Sequence, residues 1–259
     1  MTNILVWSKD RPAQLDALLT SLRKYIPSFI SVLYKYSNDS FREGYEICKR
    51  DHQFINFHEE KDFYKDTIEL SEISSAVCYT TDDTVVFNSV ISLQEIRDNL
   101  SDSSVFSFRL GYNTVVQNHF CSILQPPLIP DKVERNLLFW NPNNRFYNGC
   151  NYGYPHALDM HMYRTSYIIP LLKSIKFKTT NELEGSLQKF NSRISTLFSP
   201  KESVAVNIPI NNISGITKTN NRSISPEQLN QEYLNGKRLK YIFDKPVIGC
   251  HQDFGFELL

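Results

Sequence analysis

Short apolar runs alternate with segments of helical periodicity through the first 110 residues, and this alternation limits the folds open to the chain. The apolar runs lie at 3–7, 29–36, 54–57, 76–79 and 105–109. The helical patterns lie between them, at 12–22, 42–51, 66–73 and 89–99. Repeated strand-then-helix units of this size indicate a parallel sheet with right-handed crossovers. We therefore predict an α/β fold with a mixed, mostly parallel sheet flanked by helices.

The second half of the chain has a looser pattern. Prolines interrupt residues 113–154, which predicts loops and short strands over a site. Further elements are predicted as a strand at 158–164, helices at 168–175 and 181–190, a last strand at 204–210 and a helix at 226–234. Residues 211–225 are rich in Asn, Ser, Thr and Gly, which predicts a loop.

Composition excludes several classes of protein. The chain has 259 residues with 28 basic and 28 acidic side chains, so no overall field attracts nucleic acid. No segment reaches the roughly 20 apolar residues that span a bilayer, and the first residues do not resemble a signal peptide. The five cysteines are odd in number and lack CxxC spacing, which is typical of reduced thiols. We expect a cytoplasmic protein with one domain over 1–259.

Two consecutive acids follow the strand predicted at 76–79. Asp82 and Asp83 come directly after Thr81, at the carboxyl end of that strand, where open α/β sheets bind ligands. Carboxylates at such a point, completed by phosphate oxygens and water, suit Mg²⁺ or Mn²⁺. An Asp pair is also common in turns and at helix starts, so a purely structural role stays open.

Polar and aromatic residues follow the first two predicted strands. Trp7, Ser8, Lys9 and Arg11 lie on the loop that would face a nucleotide, where an arginine can bind phosphate through two nitrogens. A capped helix start near Asp10 explains the same loop without a ligand. At the second strand, the candidates to bound a base or ribose are Tyr36 and Ser37, and an ordinary polar turn is the alternative.

Two later segments carry further candidates. Arg109 precedes Gly111, a pairing of a fixed cation with a residue that allows close backbone approach, although an ion pair with a nearby acid is equally consistent. In the strand predicted at 158–164, alternation places Asp159, His161 and Tyr163 on one face. We predict that this face forms a wall for a sugar, and a solvent-facing edge strand is the alternative.

Several motifs, in their order along the chain, resemble those of bacterial GT-A glycosyltransferases of the polysaccharide-building kind (family 2-like). The opening "ILVWSKDRPAQLDALLTSL" and "SVLYKYSND" resemble their first two strands, and "VCYTTDDTVVFN" resembles their DxD segment. The matching segments that follow are "FSFRLGYNT", "YGYPHALDMHMYRTSYI", "NELEGSL" and "VNIPINN". The resemblance covers most of the chain and implies a GT-A (Rossmann-like) fold, with a nucleotide-binding half at 1–112 and an acceptor and donor-sugar half at 113–259.

The resemblance implies an enzyme that moves a sugar from a nucleotide-sugar donor, UDP-linked by preference, to a hydroxyl of a bacterial surface glycan or lipid-linked acceptor. It assigns Thr81 and Asp82 to ribose and diphosphate, and Asp83 to a divalent metal, Mn²⁺ or Mg²⁺. It assigns the catalytic base to Glu184, with Glu182 as second choice, and ordinary first-turn acids favoured by the helix dipole are the alternative for both. A cytoplasmic location, at times at the inner face of a membrane, is implied with it.

The sequence departs from its relatives at one position. Thr84 stands where they tend to carry a third acid, so either Asp83 ligates the metal alone or His251 in "GCHQDFGF" completes the site, and a structural or merely exposed histidine is the alternative. The same departure supports a different hypothesis, a non-catalytic sugar- or partner-binding module on this fold. A nucleotidyltransferase is a further alternative, but "WSKDRPAQ" has no glycine to cradle phosphates.

Overall fold

The computed structural model describes residues 2–89, 92–118, 123–211 and 224–259. Its helices are α1 (Pro12–Tyr25), α2 (Asp39–Asp51), α3 (Phe63–Ser71), α4 (Leu93–Asn99), α5 (Thr165–Ser174), α6 (Thr180–Leu187) and α7 (Pro226–Leu234). Its first strands are β1 (Thr2–Lys9), β2 (Phe29–Lys35), β3 (Asn56–Glu59), β4 (Ala76–Thr81), β5 (Thr84–Val86), β6 (Ser104–Ser107), β7 (Val116–Asn118) and β8 (Ile123–Leu124). The later strands are β9 (Lys132–Glu134), β10 (Leu137–Trp140), β11 (His161–Arg164), β12 (Thr196–Pro200), β13 (Ala205–Asn207), β14 (Leu239–Ile242) and β15 (Gly255–Leu258).

Nine of these strands form one sheet, in the order β3-β2-β1-β4-β11-β6-β12-β10-β9. The first four are parallel to one another, and β12 is parallel to β6. Only β11 and β10 run against the rest of this sheet, because each pairs antiparallel with both of its neighbours. The predicted mixed, mostly parallel sheet is confirmed.

Both faces of β1, β2 and β4 are covered, which explains why these strands are apolar over most of their length. On β1, Ile4 and Val6 pack with the leucines of α1, with α2 and with α4. The alternate residues, Leu5 and Trp7, pack on the opposite face with α3, α5 and α6. The sheet therefore lies between two helical layers.

Several element boundaries differ from those predicted. The strand predicted at 54–57 begins at Asn56, and Phe54 is 95% exposed. The helix predicted from 89 begins at Leu93, because the Ser92 hydroxyl accepts the Gln94 N–H and caps it there. The strand predicted over 158–164 covers only β11, since Met160 has a φ of 52°, which is incompatible with extended backbone.

Other strands were missed by the sequence patterns. The fifth strand, β5, directly follows Asp83 and pairs antiparallel with β13, which itself is shorter than the strand predicted at 204–210. The prediction missed β12, although it lies inside the central sheet. The strand predicted as the last is followed by the antiparallel pair β14 and β15. Of the loop predicted at 211–225, residues 212–223 lie outside the described residues.

The two halves predicted on either side of residue 112 contribute to the same sheet. β6 comes from the first half and lies between β11 and β12, which come from the second. The assignment of the whole chain to one domain stays a prediction. Within the described segments, no helix has both the length and the apolar character needed to cross a membrane. Cys48, Cys78, Cys150 and Cys250 are buried free thiols, and the fifth cysteine, Cys121, is outside the described residues.

Candidate active site

A cavity of about 870 Å³ opens at the carboxyl ends of β1, β2 and β4. The start of α6 and the segment around β13 close it on the other sides. The predicted site residues that line it are Trp7, Ser8, Lys9, Arg11, Thr81, Asp82, Asp83, Asp159, Glu182, Glu184 and His251. Residues far apart in sequence thus meet at the edge of the sheet where α/β proteins bind ligands.

Asp82 is a buried wall residue that holds Arg11. Its side chain accepts hydrogen bonds from Ser8 Oγ at 2.8 Å and from Arg11 Nη1 at 3.1 Å. Tyr45 supports Ser8 through a 2.8 Å contact between the two hydroxyl oxygens. Burial raises the pKa of Asp82 to about 6, against the opposing effect of Arg11, and the neighbouring charge of Asp83 adds to the rise. Asp82 therefore positions Arg11 from the wall of the cavity.

Asp83 faces the cavity more openly. Its side chain is 19% exposed, and its Oδ1 accepts hydrogen bonds from Thr81 Oγ1 at 2.6 Å and Asn207 Nδ2 at 3.0 Å. Arg11 Nη1 lies 3.8 Å from the other oxygen. The β5–β13 pairing places Asn207 beside the Asp pair, since Asn207 is opposite Thr84 in that register. Two hydrogen bonds and one ion pair thus orient this carboxylate.

A second carboxylate, Asp159, lies within reach of the same threonine. Thr81 Oγ1 is 2.8 Å from Asp159 Oδ1, while Arg109 Nη1 is 3.5 Å and His251 Nε2 is 3.8 Å from Asp159 Oδ2. Arg109 also donates to Asn207 Oδ1 at 2.8 Å. Burial acts to raise the pKa of Asp159, but Arg109 and His251 outweigh it, so that the pKa lies below its ordinary value. Asp159 is therefore ionised at neutral pH.

The two predicted base residues have different surroundings. Glu184 accepts the Leu158 N–H at 3.3 Å, and burial together with the charge of Asp159 raises its pKa to about 7. Glu182 is exposed, and its carboxylate accepts the N–H of Lys178 at 2.7 Å, which ties it to the start of α6. A carboxylate with a pKa near the working pH is suited to general-base catalysis. The geometry thus favours Glu184 over Glu182.

Four predicted site residues do not line the cavity: Tyr36, Ser37, Arg109 and His161. The Tyr36 hydroxyl donates to Glu59 at 3.2 Å, and the Ser37 N–H donates to Asp10 at 2.7 Å. Their contact with a nucleotide stays a prediction. Arg109 is 4% exposed and forms the predicted alternative, an ion pair with Asp159 behind the cavity surface.

The predicted sugar-binding face of Asp159, His161 and Tyr163 does not form. His161 is 2% exposed, and burial together with Arg109 lowers its pKa to about 3. Tyr163 is fully buried, and its hydroxyl contacts the carbonyl oxygens of Pro155 and Ala157. The left-handed backbone at Met160 separates Asp159 from the strand, so strand alternation does not apply across it.

Gly111 has a different role from the one predicted. A Cβ at this position would lie 2.6 Å from the main-chain nitrogen of Ser203, closer than real Cβ contacts. The glycine therefore allows the chain after β6 to pass against residues 202–203. It serves packing between chain segments and not approach to a ligand.

Some cavity residues were not singled out from the sequence. Asn207 and Asn211 belong to "VNIPINN", where polar residues that interrupt or end an apolar run were the available signal. Asn211 accepts the Arg11 Nη2–H at its carbonyl oxygen, at 2.8 Å. Lys35 and Glu60 form a 2.8 Å ion pair at the ends of β2 and β3, which no local pattern predicts.

The cavity offers several metal-ligating side chains. Asp83 and His251 both line it, with side chains 19% and 42% exposed, and Asp159 lies beside His251. Thr84 is fully buried and points away from solvent, so the position of the missing third acid lies in the wall behind the cavity. The carboxylates that face the cavity fit Mn²⁺ or Mg²⁺ with the remaining positions open, and the imidazole of His251 suits a transition metal such as Mn²⁺ better than Mg²⁺.

One curated protein is similar to the chain over part of its length. No family model matches the sequence. The chain is 26% identical over 198 residues to the bifunctional glycosyltransferase pgtA of Dictyostelium discoideum, which covers 66% of this chain and 25% of that protein. The chain therefore spans about a quarter of the length of the curated relative it matches. The name of this relative agrees with the resemblance predicted from the sequence motifs.

Several solved structures are similar to the chain over most of its length, at low sequence identity. TarS from S. aureus is 13% identical with a TM-score of 0.47, over 79% of this chain and 36% of that one. The mannosyltransferase PcManGT from Pyrobaculum calidifontis, solved with GDP-Man and Mn²⁺, is 10% identical with a TM-score of 0.45, over 82% and 58%. The bifunctional glycosyltransferase WbbM is 14% identical with a TM-score of 0.40, over 75% and 38%.

Proposed function

We propose that the chain is a glycosyltransferase that moves a sugar from a nucleoside-diphosphate sugar to an acceptor hydroxyl. One observation carries the proposal: Asp83 and Arg11 face the same cavity as Glu184, a carboxylate whose pKa is near 7. Asp83 and Arg11 can hold a diphosphate with its metal, and Glu184 can accept a proton. The sequence similarity to a protein named as a glycosyltransferase supports the same conclusion.

The donor is held at the ends of β1 and β4. Arg11, fixed by Asp82 and by the Asn211 carbonyl, presents its remaining surface to an anionic group in the cavity. Trp7 supplies an apolar surface nearby, with Phe63 at 6.2 Å between ring centroids. Burial leaves only 4% of Trp7 exposed, so it contributes the edge of a wall and not a stacking face.

A divalent ion, Mn²⁺ or Mg²⁺, would be held by Asp83 and His251. Bound to the diphosphate, it would neutralise the negative charge that develops on the leaving nucleotide. The hydrogen bonds from Thr81 and Asn207 keep the Asp83 carboxylate in place before any ligand arrives. Such preorganisation reduces the reorganisation needed during reaction.

Glu184 is the proposed catalytic base. Its carboxylate takes the proton of the acceptor hydroxyl as the oxygen attacks the anomeric carbon and the bond to the nucleotide breaks. This role applies to a reaction that inverts the configuration of the sugar. Asp159 remains ionised beside the cavity, where it can accept hydrogen bonds from the donor sugar. Arg109 acts behind it as a positioning residue.

The donor is proposed to be UDP-linked, and the acceptor to be a glycan or a lipid-linked glycan of a bacterial surface. Both follow from the resemblance of the sequence motifs to enzymes of that kind. Peripheral contact with the inner face of a membrane belongs to the same proposal.

The test is a screen of nucleotide sugars by thermal shift and by release of nucleoside diphosphate, with Mn²⁺, with Mg²⁺ and with chelator. One donor should raise the melting temperature, and that donor should be turned over slowly to water even without an acceptor. Asp83→Asn should abolish both effects, while Asp244→Asn, at an exposed position away from the cavity lining, should retain them. Equal turnover by Asp83→Asn and the parent would overturn the assignment.

The non-catalytic alternative is favoured by Thr84, which removes an acid that relatives tend to carry. It predicts binding of a nucleotide sugar without release of nucleoside diphosphate under any acceptor. The two hypotheses therefore separate in the same screen, since thermal shift reports binding and nucleotide release reports chemistry.

A further inference from the structure

A second cavity, of about 480 Å³, lies between α1 and the segment that contains β14. None of its lining residues lines the active-site cavity. Asp16 and His52 contribute to its wall, and both are buried, with exposed fractions of 6% and 4%. Two ionisable side chains are thus held at the base of a solvent-accessible space that the proposed reaction does not use.

A buried cysteine completes this group. One ring nitrogen of His52, the Cys48 sulfur and one Asp16 oxygen all lie within 4.8 Å of one another. Among the described residues, this is the one group of three or more such side chains that converges so closely. The His52 Nε2 is 2.9 Å from Asp16 Oδ1, and the other ring nitrogen, Nδ1, is buried without a hydrogen-bond partner in the described chain.

The helices explain why these residues meet. Cys48 is in the last turn of α2, and His52 caps that helix four residues later, so both lie on the same side of the helix. Asp16 is in the second turn of α1, which packs against α2. A Cys-x₃-His spacing on one helix with a carboxylate from its neighbour brings three ligand types to one point.

We propose that Asp16, Cys48 and His52 bind a transition-metal ion, preferentially Zn²⁺, with a fourth coordination position open to the second cavity. Thiolate, imidazole and carboxylate are the ligands that Zn²⁺ prefers in proteins. A site with three protein ligands retains a position for water or for another small ligand. On binding, the thiol proton of Cys48 leaves to solvent and the sulfur–metal bond forms.

The rearrangement that binding requires is small. Tetrahedral coordination separates two nitrogen or oxygen ligands by about 3.3 Å and either of them from sulfur by about 3.6 Å, given Zn²⁺ bond lengths of roughly 2.0–2.3 Å. The 2.9 Å contact between Asp16 and His52 must therefore open slightly, and the pairs that involve Cys48, which lie within 4.8 Å, must close by at most about 1 Å.

The charges nearby are compatible with a bound cation. Arg238 Nε lies 3.8 Å from Asp16 Oδ2, but its guanidinium is anchored elsewhere, with Nη2 at 2.6 Å from Asp51 and Cζ 4.6 Å from the centre of the Tyr233 ring. Arg238 can therefore keep its contact with Asp16 Oδ2 while the Asp16 side chain turns Oδ1 toward the ion. A divalent ion with one thiolate and one carboxylate is neutral overall, which suits a buried position.

The proposal is tested with Co²⁺, which substitutes for Zn²⁺ and reports its ligands by absorption. The full chain, stripped with chelator and kept reduced, is titrated with Co²⁺ alone. One equivalent should produce a thiolate-to-cobalt charge-transfer band that one equivalent of Zn²⁺ removes. Cys48→Ser should lose the band, while Cys150→Ser, which replaces another buried thiol, should keep it. Asp83→Asn should also keep it, which separates this site from the active-site cavity.

Two results would overturn the proposal: no charge-transfer band at stoichiometric Co²⁺, or a band of equal strength in Cys48→Ser. In either case Asp16 and His52 form only a structural pair between α1 and α2. If circular dichroism shows that Cys48→Ser is unfolded, His52→Gln takes its place, since an amide retains a hydrogen bond to Asp16. Loss of the His52 imidazole should weaken Co²⁺ binding by more than the roughly 10–100-fold that is typical of losing an outer-shell partner. An unchanged Co²⁺ affinity would contradict the assignment.

Discussion

The side-chain amide of Asn207 donates a hydrogen bond to Asp83 at 3.0 Å across 124 positions of sequence. The carbonyl oxygen of the same amide accepts from Arg109 at 2.8 Å. Asn207 therefore joins the carboxylate proposed to hold the metal with the cation that orients Asp159. This connection between β13, the Asp pair and the chain after β6 underlies the first prediction.

Asn207→Ala should lower the rate of sugar transfer by tenfold or more while the protein stays folded. Loss of the amide removes one of the donors that orient Asp83 and frees Arg109 to turn, and losing such an outer-shell partner of a metal ligand typically costs about 10–100-fold in metal affinity or activity. Initial rates at saturating Mn²⁺ measure the effect, with Asn211→Ala as a neighbouring comparison. A variant with parental kcat and weaker Mn²⁺ affinity would assign Asn207 to metal binding alone.

The rate of transfer should rise with pH through about 7, because Glu184 must be ionised to accept a proton and its pKa is about 7. Below that pH the rate should fall close to tenfold for each pH unit. A pH profile of kcat/KM, which reports the pKa values of the free enzyme, tests this, and Glu184→Gln should abolish the dependence together with most of the activity. Glu182→Gln should keep both, since Glu182 is tied to the start of α6.

Glu184 should also destabilise the fold at alkaline pH. Its pKa is raised from 4.5 in the unfolded chain to about 7 in the folded protein, so the folded state binds more protons between these values. The free energy of unfolding therefore decreases as pH rises from 4.5 to 7. Relative to the parent, Glu184→Gln should gain stability at pH 8 and little at pH 4, as measured by urea unfolding. An equal difference at both pH values would show that Glu184 is not the titrating group.

Arg11→Ala should destabilise the protein by about 3 kcal/mol at pH 8, since removing one partner of a buried ion pair leaves the other charge uncompensated. Asp82 is 3% exposed, and its pKa already lies at about 6 because of burial. Without Arg11 it should rise further, so the carboxyl becomes neutral and the loss should be smaller at pH 5. Urea unfolding at both pH values measures this. Measured against the Asp82→Asn single variant, the loss of stability in the Arg11→Ala, Asp82→Asn double variant should be the same at both pH values.

Thr84→Asp should not supply a third metal ligand. Thr84 is fully buried, so an aspartate there would place an unpaired charge inside the protein, at a cost of several kcal/mol, or would take up a proton. Thr84→Val, in contrast, should leave the free energy of unfolding within about 1 kcal/mol, because the Thr84 hydroxyl is buried without a hydrogen-bond partner in the described chain. Stronger Mn²⁺ binding by Thr84→Asp would contradict this placement.

Local pattern was sufficient for the parallel part of the fold. The strands β1, β2 and β4 were predicted within a few residues because their apolar runs are buried on both faces of the sheet. The helices α1, α2 and α7 were predicted equally well, and two of them begin at caps, Asn38 and Ser225. The position of Asp82 and Asp83 at a strand end followed from the same pattern. The prediction missed β12, whose pairing with β6 and β10 depends on partners about 60 to 90 residues away in sequence.

The arrangement of the candidate site depends on tertiary contacts more strongly than the parallel part of the fold does. The sequence by itself determined that an Asp pair follows a strand of a mostly parallel sheet, and that acids lie at the start of a late helix. Only the tertiary structure decided that Asn207 reaches Asp83, that Arg109 and His161 lie behind the cavity, and that Glu184 is more buried than Glu182. Periodicity reports which face of an element is buried, whereas these placements depend on how strands distant in sequence align and on one residue with left-handed backbone, Met160.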